Sequence, residues 1–242
     1  MAMATVAAVG IAAPAGAHDA ARPRPPAVAG PESAALFERR PEFDYAPPRP
    51  GTYELPVLQP AADGSVLDAT GTPRRLRDVL KGKIALVSFI YTRCGDATGC
   101  PLATATLHDI VHASARDPDL AGNLRLVSLS FDPARDTPRA LAAYAAPLRA
   151  DPGAGGKSEW TFLTTASERT LAPILAGYGQ VVRQNQAPDG ASDGTFAHVL
   201  RVYLIDRAGQ VRNIYDLSFL DPRLIVADVK TLLLEEHGAG RR

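Results

Sequence analysis

Residues 84–101 read Ile84-Ala-Leu-Val-Ser-Phe-Ile90, Tyr91-Thr92-Arg93-Cys94, Gly95-Asp-Ala-Thr-Gly99, Cys100-Pro101, and they hold both cysteines of the chain. The first seven residues form a nearly continuous apolar run of strand length, as a strand buried on both faces requires. From Pro101 to Ala115 the period changes to that of a helix, with Ala103, Leu107, Ile110 and Val111 on one stripe and Pro101 suited to the first turn. The cysteines therefore lie in the loop between a buried strand and a following helix. Open α/β sheets place function at such strand ends.

Outward from this centre the alternation continues. Leu124 to Phe131 predicts a second buried strand, and Thr137 caps a helix with Pro138 at its first position and Leu141, Tyr144, Ala145 and Leu148 on its core face. Trp160 to Leu163 predicts a third strand, Ser167 to Ala176 a helix, and Gln180 to Thr195 a long polar loop. Val199 to Ile205 and Val211 to Tyr215 read as a hairpin turned at Asp206–Gly209, and Leu224 to Glu236 as a closing amphipathic helix. Upstream, Tyr53–Leu58 and Val66–Asp68 flank Asp63-Gly64, which predicts an N-terminal β-hairpin at a sheet edge. Arg74 to Leu80 predicts one or two helical turns closed by Gly82. The expected architecture is α/β, a central mixed sheet with helices on both faces.

Composition narrows the function. With 26 basic and 26 acidic residues among 242, the chain has no long-range field to gather nucleic acid or anionic lipid. No stretch reaches 18 apolar residues, so no membrane span is expected. Residues 1–17 are uncharged, apolar and end in Ala15-Gly16-Ala17, the pattern of a signal segment, and export is the expectation. Ten of the 21 prolines fall between Pro23 and Pro60, so residues 18–50 read as an extended arm and residues 51–238 as the folded domain.

Cys94 and Cys100 are separated by five residues. Cys100 opens the helix, where unpaired amides and the dipole favour thiolate over thiol. In an exported protein a close pair is either a structural disulfide or a working dithiol, and position alone leaves both open. Met1 and Met3 are the only methionines and fall in the signal segment, so soft metal ligands downstream of it must come from the cysteines. His108 and His112 stand at i and i+4, a spacing that lets two imidazoles share a metal. On the wheel they lie opposite the apolar stripe and read as a solvated face. His18 would become a chelating N-terminus if cleavage follows Ala17, and His237 suggests nothing. Asp132, Arg135 and Asp136 are read as turn and cap chemistry, with Asp132 near the site; Asp96, inside the cysteine loop, is a candidate for tuning a cation. Tyr91 and Tyr203 read as packing.

Three separated motifs carry a resemblance. Tyr91-Thr-Arg-Cys94 with Cys100-Pro101, Ser130-Phe-Asp132-Pro-Ala-Arg135-Asp136-Thr-Pro138, and His198 followed by Val202-Tyr-Leu-Ile-Asp206 resemble, in order, the signatures of the SCO/SenC family of copper proteins. The likeness runs from about Tyr53 to Glu236. It implies a thioredoxin-like fold, an extracytoplasmic location, copper held by Cys94, Cys100 and His198, and a role in assembling the copper site of cytochrome c oxidase. The chain departs from the family pattern in having five residues rather than three between the cysteines and no Pro after the first.

Two functions follow. One is capture of copper and its delivery to an exported copper enzyme, which requires His198. The other is thiol-disulfide exchange with partner cysteines, which requires Cys94 and Cys100 but no histidine. Exchange is weakened by the absence of Cys-x-x-Cys and of a Pro immediately before the His198 segment. A thiol peroxidase does not fit, because Thr92 stands two rather than three residues before Cys94.

Overall fold

A computed structural model describes residues 43, 45–151 and 158–239. The signal segment, His18, most of the arm and the Gly-rich stretch near Gly153 lie outside the described residues.

The strands are β1 (Gln59–Pro60), β2 (Ser65–Asp68), β3 (Pro73–Arg75), β4 (Ile84–Ile90), β5 (Leu124–Ser130), β6 (Glu159–Thr164), β7 (Val182–Gln186), β8 (Ser192–His198), β9 (Val202–Ile205) and β10 (Gln210–Tyr215). The helices are α1 (Leu76–Leu80), α2 (Cys100–Ser114), α3 (Pro118–Asn123), α4 (Pro138–Ala150), α5 (Glu168–Gly177) and α6 (Pro222–Ala239). Eight strands form one sheet in the order β1-β10-β9-β4-β5-β6-β2-β3. β4, β5 and β6 run parallel at its centre, and β9 pairs antiparallel with β4. Parallel neighbours need long crossovers, which α2 with α3 and then α4 supply.

All seven residues of β4 are buried because helices cover both faces of the sheet. Ile84 and Leu86 pack with Leu107 and Ile110 of α2 and Ile225 and Val229 of α6. Ala85, Val87 and Phe89 pack on the other side with Leu141 of α4 and Leu171 and Ile174 of α5. The buried serines at the sheet centre are satisfied: Ser88 and Ser128 face each other at 3.1 Å, and the Trp160 indole donates to Ser128 at 3.1 Å. Among the described residues no helix is long and apolar enough to cross a membrane.

Three expectations need correction. The N-terminal hairpin forms from β2 and β3 rather than from residues 53–58 and 66–68. Its turn is organised by Asp68, whose carboxylate accepts from the Thr70 and Thr72 amides, with Gly71 at φ 84°. The residues just after the earlier segment form β1, which pairs with β10 at the opposite edge of the sheet. Gly64 is required by packing, since a Cβ there would stand 2.4 Å from Ile174. Second, Gln180–Thr195 is not a loop, because most of it belongs to a separate two-stranded sheet, β7 with β8. Its polar, half-exposed residues hide the alternation that marks a strand. Third, α3 was not expected, although Asp117 caps it by accepting from the Asp119 and Leu120 amides.

Candidate metal centre

Three elements deliver the centre. β4 ends at Ile90 and releases the loop carrying Cys94, α2 begins at Cys100, and His198 is the last residue of β8. His198 therefore closes a strand. Its register partner is Val182, and the base of the hairpin is tied to the core: the Gln180 side-chain amide donates to the Val199 carbonyl at 2.6 Å and Arg201 to the Gly179 carbonyl at 2.8 Å.

The Cys100 sulfur lies 3.6 Å from Nε2 of His198. The two sulfurs and one imidazole nitrogen lie within 4.8 Å of one another. The wider loop thus folds back far enough to bring both thiols to one point. Asp96 makes this return, its carboxylate accepting from the Thr98 amide at 2.9 Å and the Thr98 hydroxyl at 2.8 Å. Gly99 fits because any Cβ would crowd the Cys94 sulfur at 3.3 Å.

The thiols divide into a thiolate and a thiol, and the division reverses the expectation that Cys100 is the activated one. Hydrogen bonding holds Cys94 at about 5: the Cys100 thiol donates to it, the amides of Cys100 and Asp96 point at it, and the Tyr91 hydroxyl adds a fourth bond, together outweighing burial. The first amide of α2 thus serves Cys94 as well as its own side chain. Cys100 is pushed well up, by its hydrogen bond to Cys94, by burial and by the neighbouring negative charge. Tyr91, expected as packing alone, is also a donor to the site, and burial with the Cys94 charge raises its own pKa.

An aromatic wall encloses the imidazole. Tyr91, Phe131 and Phe196 contact one another at ring distances of 5.2 to 5.5 Å, and His198 stands 4.9 Å from Phe131 and 5.9 Å from Tyr91. His198 Nδ1 lies 3.4 Å from the Phe196 carbonyl. With the proton on Nδ1, that contact turns the Nε2 lone pair towards the thiols, as in histidine ligands generally. Phe131 and Phe196 were not singled out from the sequence, where nothing separates them from ordinary core aromatics.

Asp136 anchors the cysteine loop. It is 1% exposed and accepts from the Thr92 amide at 3.0 Å, the Thr92 hydroxyl at 2.5 Å and the Ser130 hydroxyl at 2.5 Å. Burial raises its pKa against these bonds. Asp132 is buried one turn earlier and paired with Arg135 at 3.4 Å, and Arg135 reaches over to Gly194 of β8. Both aspartates act as structural pins between the end of β5 and the site.

The remaining histidines lie elsewhere. His237 is exposed on the last turns of α6. His108 and His112 are partly buried rather than on a fully solvated face. Their rings stand 4.5 Å apart and both meet Asp151, the residue that follows α4.

A model of the SCO1/SenC family matches residues 62–234. The chain belongs to this family. Among its members, the SCO1 protein homolog of Bacillus subtilis is 31% identical over 157 residues, which is 63% of this chain and 72% of the relative. The copper-bound structure of Bradyrhizobium japonicum ScoI superposes with a TM-score of 0.56 at 26% identity, covering 70% of this chain and 97% of that one. BsSco, described as a Sco-family cytochrome c oxidase assembly protein with a disulfide switch, gives a TM-score of 0.54 at 26% identity over 73% and 95% of the two chains. The fold is the thioredoxin-like α/β fold of SCO1/SenC proteins, with a Cys-Cys-His cluster at the end of its central strand.

Proposed function

We propose that this SCO1/SenC protein is an extracytoplasmic carrier that binds copper(I) through Cys94, Cys100 and His198 and passes it to an exported copper enzyme, of which the copper subunit of cytochrome c oxidase is the prime candidate. The observation that carries the reading is the convergence of two sulfurs and one imidazole nitrogen within 4.8 Å. Copper(I) selects soft sulfur ligands, accepts imidazole and tolerates three-coordination. The copper-bound ScoI relative supports the same choice.

The chemistry of each ligand suits capture and release. Cys94 is already ionised at neutral pH, so it meets the metal first. Cys100 surrenders its proton on coordination, and His198 completes the set from a separate hairpin. Cys94 and His198 are only partly buried, so an incoming thiolate of a recipient can replace them one at a time. Asp96, at the return of the cysteine loop, is the acidic group that would tune the bound cation, its carboxyl held low chiefly by the Thr98 hydrogen bonds.

Thiol-disulfide exchange is the second reading, favoured by the low Cys94 pKa beside a protonated resolving thiol. A transfer assay separates the two. Copper(I)-loaded protein is mixed anaerobically with a reduced, metal-free copper domain of the oxidase, and copper is followed in each fraction. The account expects transfer by the wild type and none after His198→Ala. If copper stays on the carrier while both the wild type and His198→Ala reduce an oxidised recipient domain equally well, exchange is the function.

A further inference from the structure

His108 and His112 sit on successive turns of α2, and Asp151 is brought to them from the end of α4. The Nε2 atom of each imidazole lies 2.9 Å from the same Asp151 Oδ2, and the two Nε2 atoms are 3.3 Å apart. All three ligand atoms fall within 4.8 Å of one another, the second of only two such clusters among the described residues. We propose that His108, His112 and Asp151 form a second metal site, for a divalent ion of zinc(II) type, distinct from the copper centre.

The geometry suits such an ion. A tetrahedral zinc with nitrogen ligands at 2.0–2.1 Å holds them roughly 3.3 Å apart. The imidazole pair already has this separation. Each nitrogen-to-oxygen distance needs to open by about 0.4 Å to reach the same tetrahedral edge. The side chains are 26%, 32% and 28% exposed, so an ion can enter and a water can take the fourth position. Without a metal, one carboxylate oxygen faces two ring nitrogens at once, an arrangement that a shared cation satisfies directly.

The donor sets also sort the ions. Two imidazoles and a carboxylate form a borderline-to-hard set suited to zinc(II) or copper(II), whereas the thiol pair is soft and suits copper(I). The sites are physically separate, since eight and twelve residues of helix place His108 and His112 about 12 and 18 Å along α2 from Cys100. The second site would tie the middle of α2 to the end of α4, whatever the first site holds.

The test uses the full chain carrying Cys94→Ser and Cys100→Ser, which removes the copper centre and makes the outcome independent of the copper reading. Zinc(II) is titrated against a chromophoric chelator, with His108→Gln, His112→Gln and Asp151→Asn introduced singly, and circular dichroism confirms the fold of each variant. The expected result is one zinc per chain, bound at least about tenfold more weakly after either histidine change, as loss of a metal ligand requires. Cobalt(II) in place of zinc should give the visible absorption of a tetrahedral site without sulfur charge-transfer bands. Absence of stoichiometric binding in the thiol-free chain, or binding that neither histidine change weakens, would overturn the proposal.

Discussion

Cys100→Ser should lower copper(I) affinity by more than about 100-fold, and Cys94→Ser and His198→Ala should each do comparable damage. Losing one partner of a metal ligand already costs 10–100-fold, and losing the ligand itself costs more. The reason for ranking Cys100 first is its place in the structure. It is 1% exposed, fixed by the first turn of α2, and adjacent to both other ligands, whereas Cys94 rides a loop. Serine offers copper(I) a hard oxygen in place of a soft sulfur. The wild type should also release about one proton per copper bound near neutral pH, because Cys94 is already ionised at about 5 while Cys100 is not. Anaerobic competition titrations in two buffers of different ionisation heat measure affinity and proton count together. Release of two protons would mean that Cys94 is not the thiolate.

The second large effect concerns Asp136. Alanine there strands the Thr92 amide and the Thr92 and Ser130 hydroxyls in a buried site. Losing hydrogen bonds to a charged group and leaving their donors unpaired should destabilise the domain by about 3 kcal/mol. For a domain of this size that lowers the melting temperature by about 6–12 °C. Asparagine should cost under about 1 kcal/mol, since its oxygen keeps two of the bonds and its amide can donate to the Thr92 hydroxyl. The pH dependence has a definite sign. Burial raises the folded-state pKa above the ordinary aspartate value of 3.8, so the folded state holds the proton more tightly than the unfolded one. Stability from this group is fullest below 3.8 and declines as pH rises through the raised folded value. Asp136→Asn should flatten that decline. Equal losses from alanine and asparagine would contradict the hydrogen-bonding account.

The legible and illegible parts of this chain divide along physical lines. β4 and α2 stand out because a strand buried on both faces and an amphipathic helix each impose a strong period on the sequence, and the cysteine loop is fixed between them. The hairpin that delivers His198 carries no such mark. β7 and β8 are paired mostly by backbone bonds and show polar residues on exposed positions, so Val182–Gln186 reads as a loop until the register is seen. The approach of His198 to Cys100 is long-range, 98 residues in sequence, and only the resemblance to a family pointed to it. The identity of the thiolate was misread for a related reason: the helix-end amide of Cys100 is directed at a sulfur six residues back, and local sequence does not show where an amide points. Asp136 was recognised as structural but not as the anchor of Thr92, again because its partners come from the end of a different strand.

The central claim is that one copper is held jointly by Cys94, Cys100 and His198 despite five residues between the cysteines. X-ray absorption at the copper edge of the fully reduced, one-to-one copper(I) protein tests it most directly. The account predicts a three-coordinate ion with two sulfur scatterers and one imidazole nitrogen, the nitrogen disappearing in His198→Ala. A first shell of sulfur alone, unchanged by His198→Ala, would contradict it.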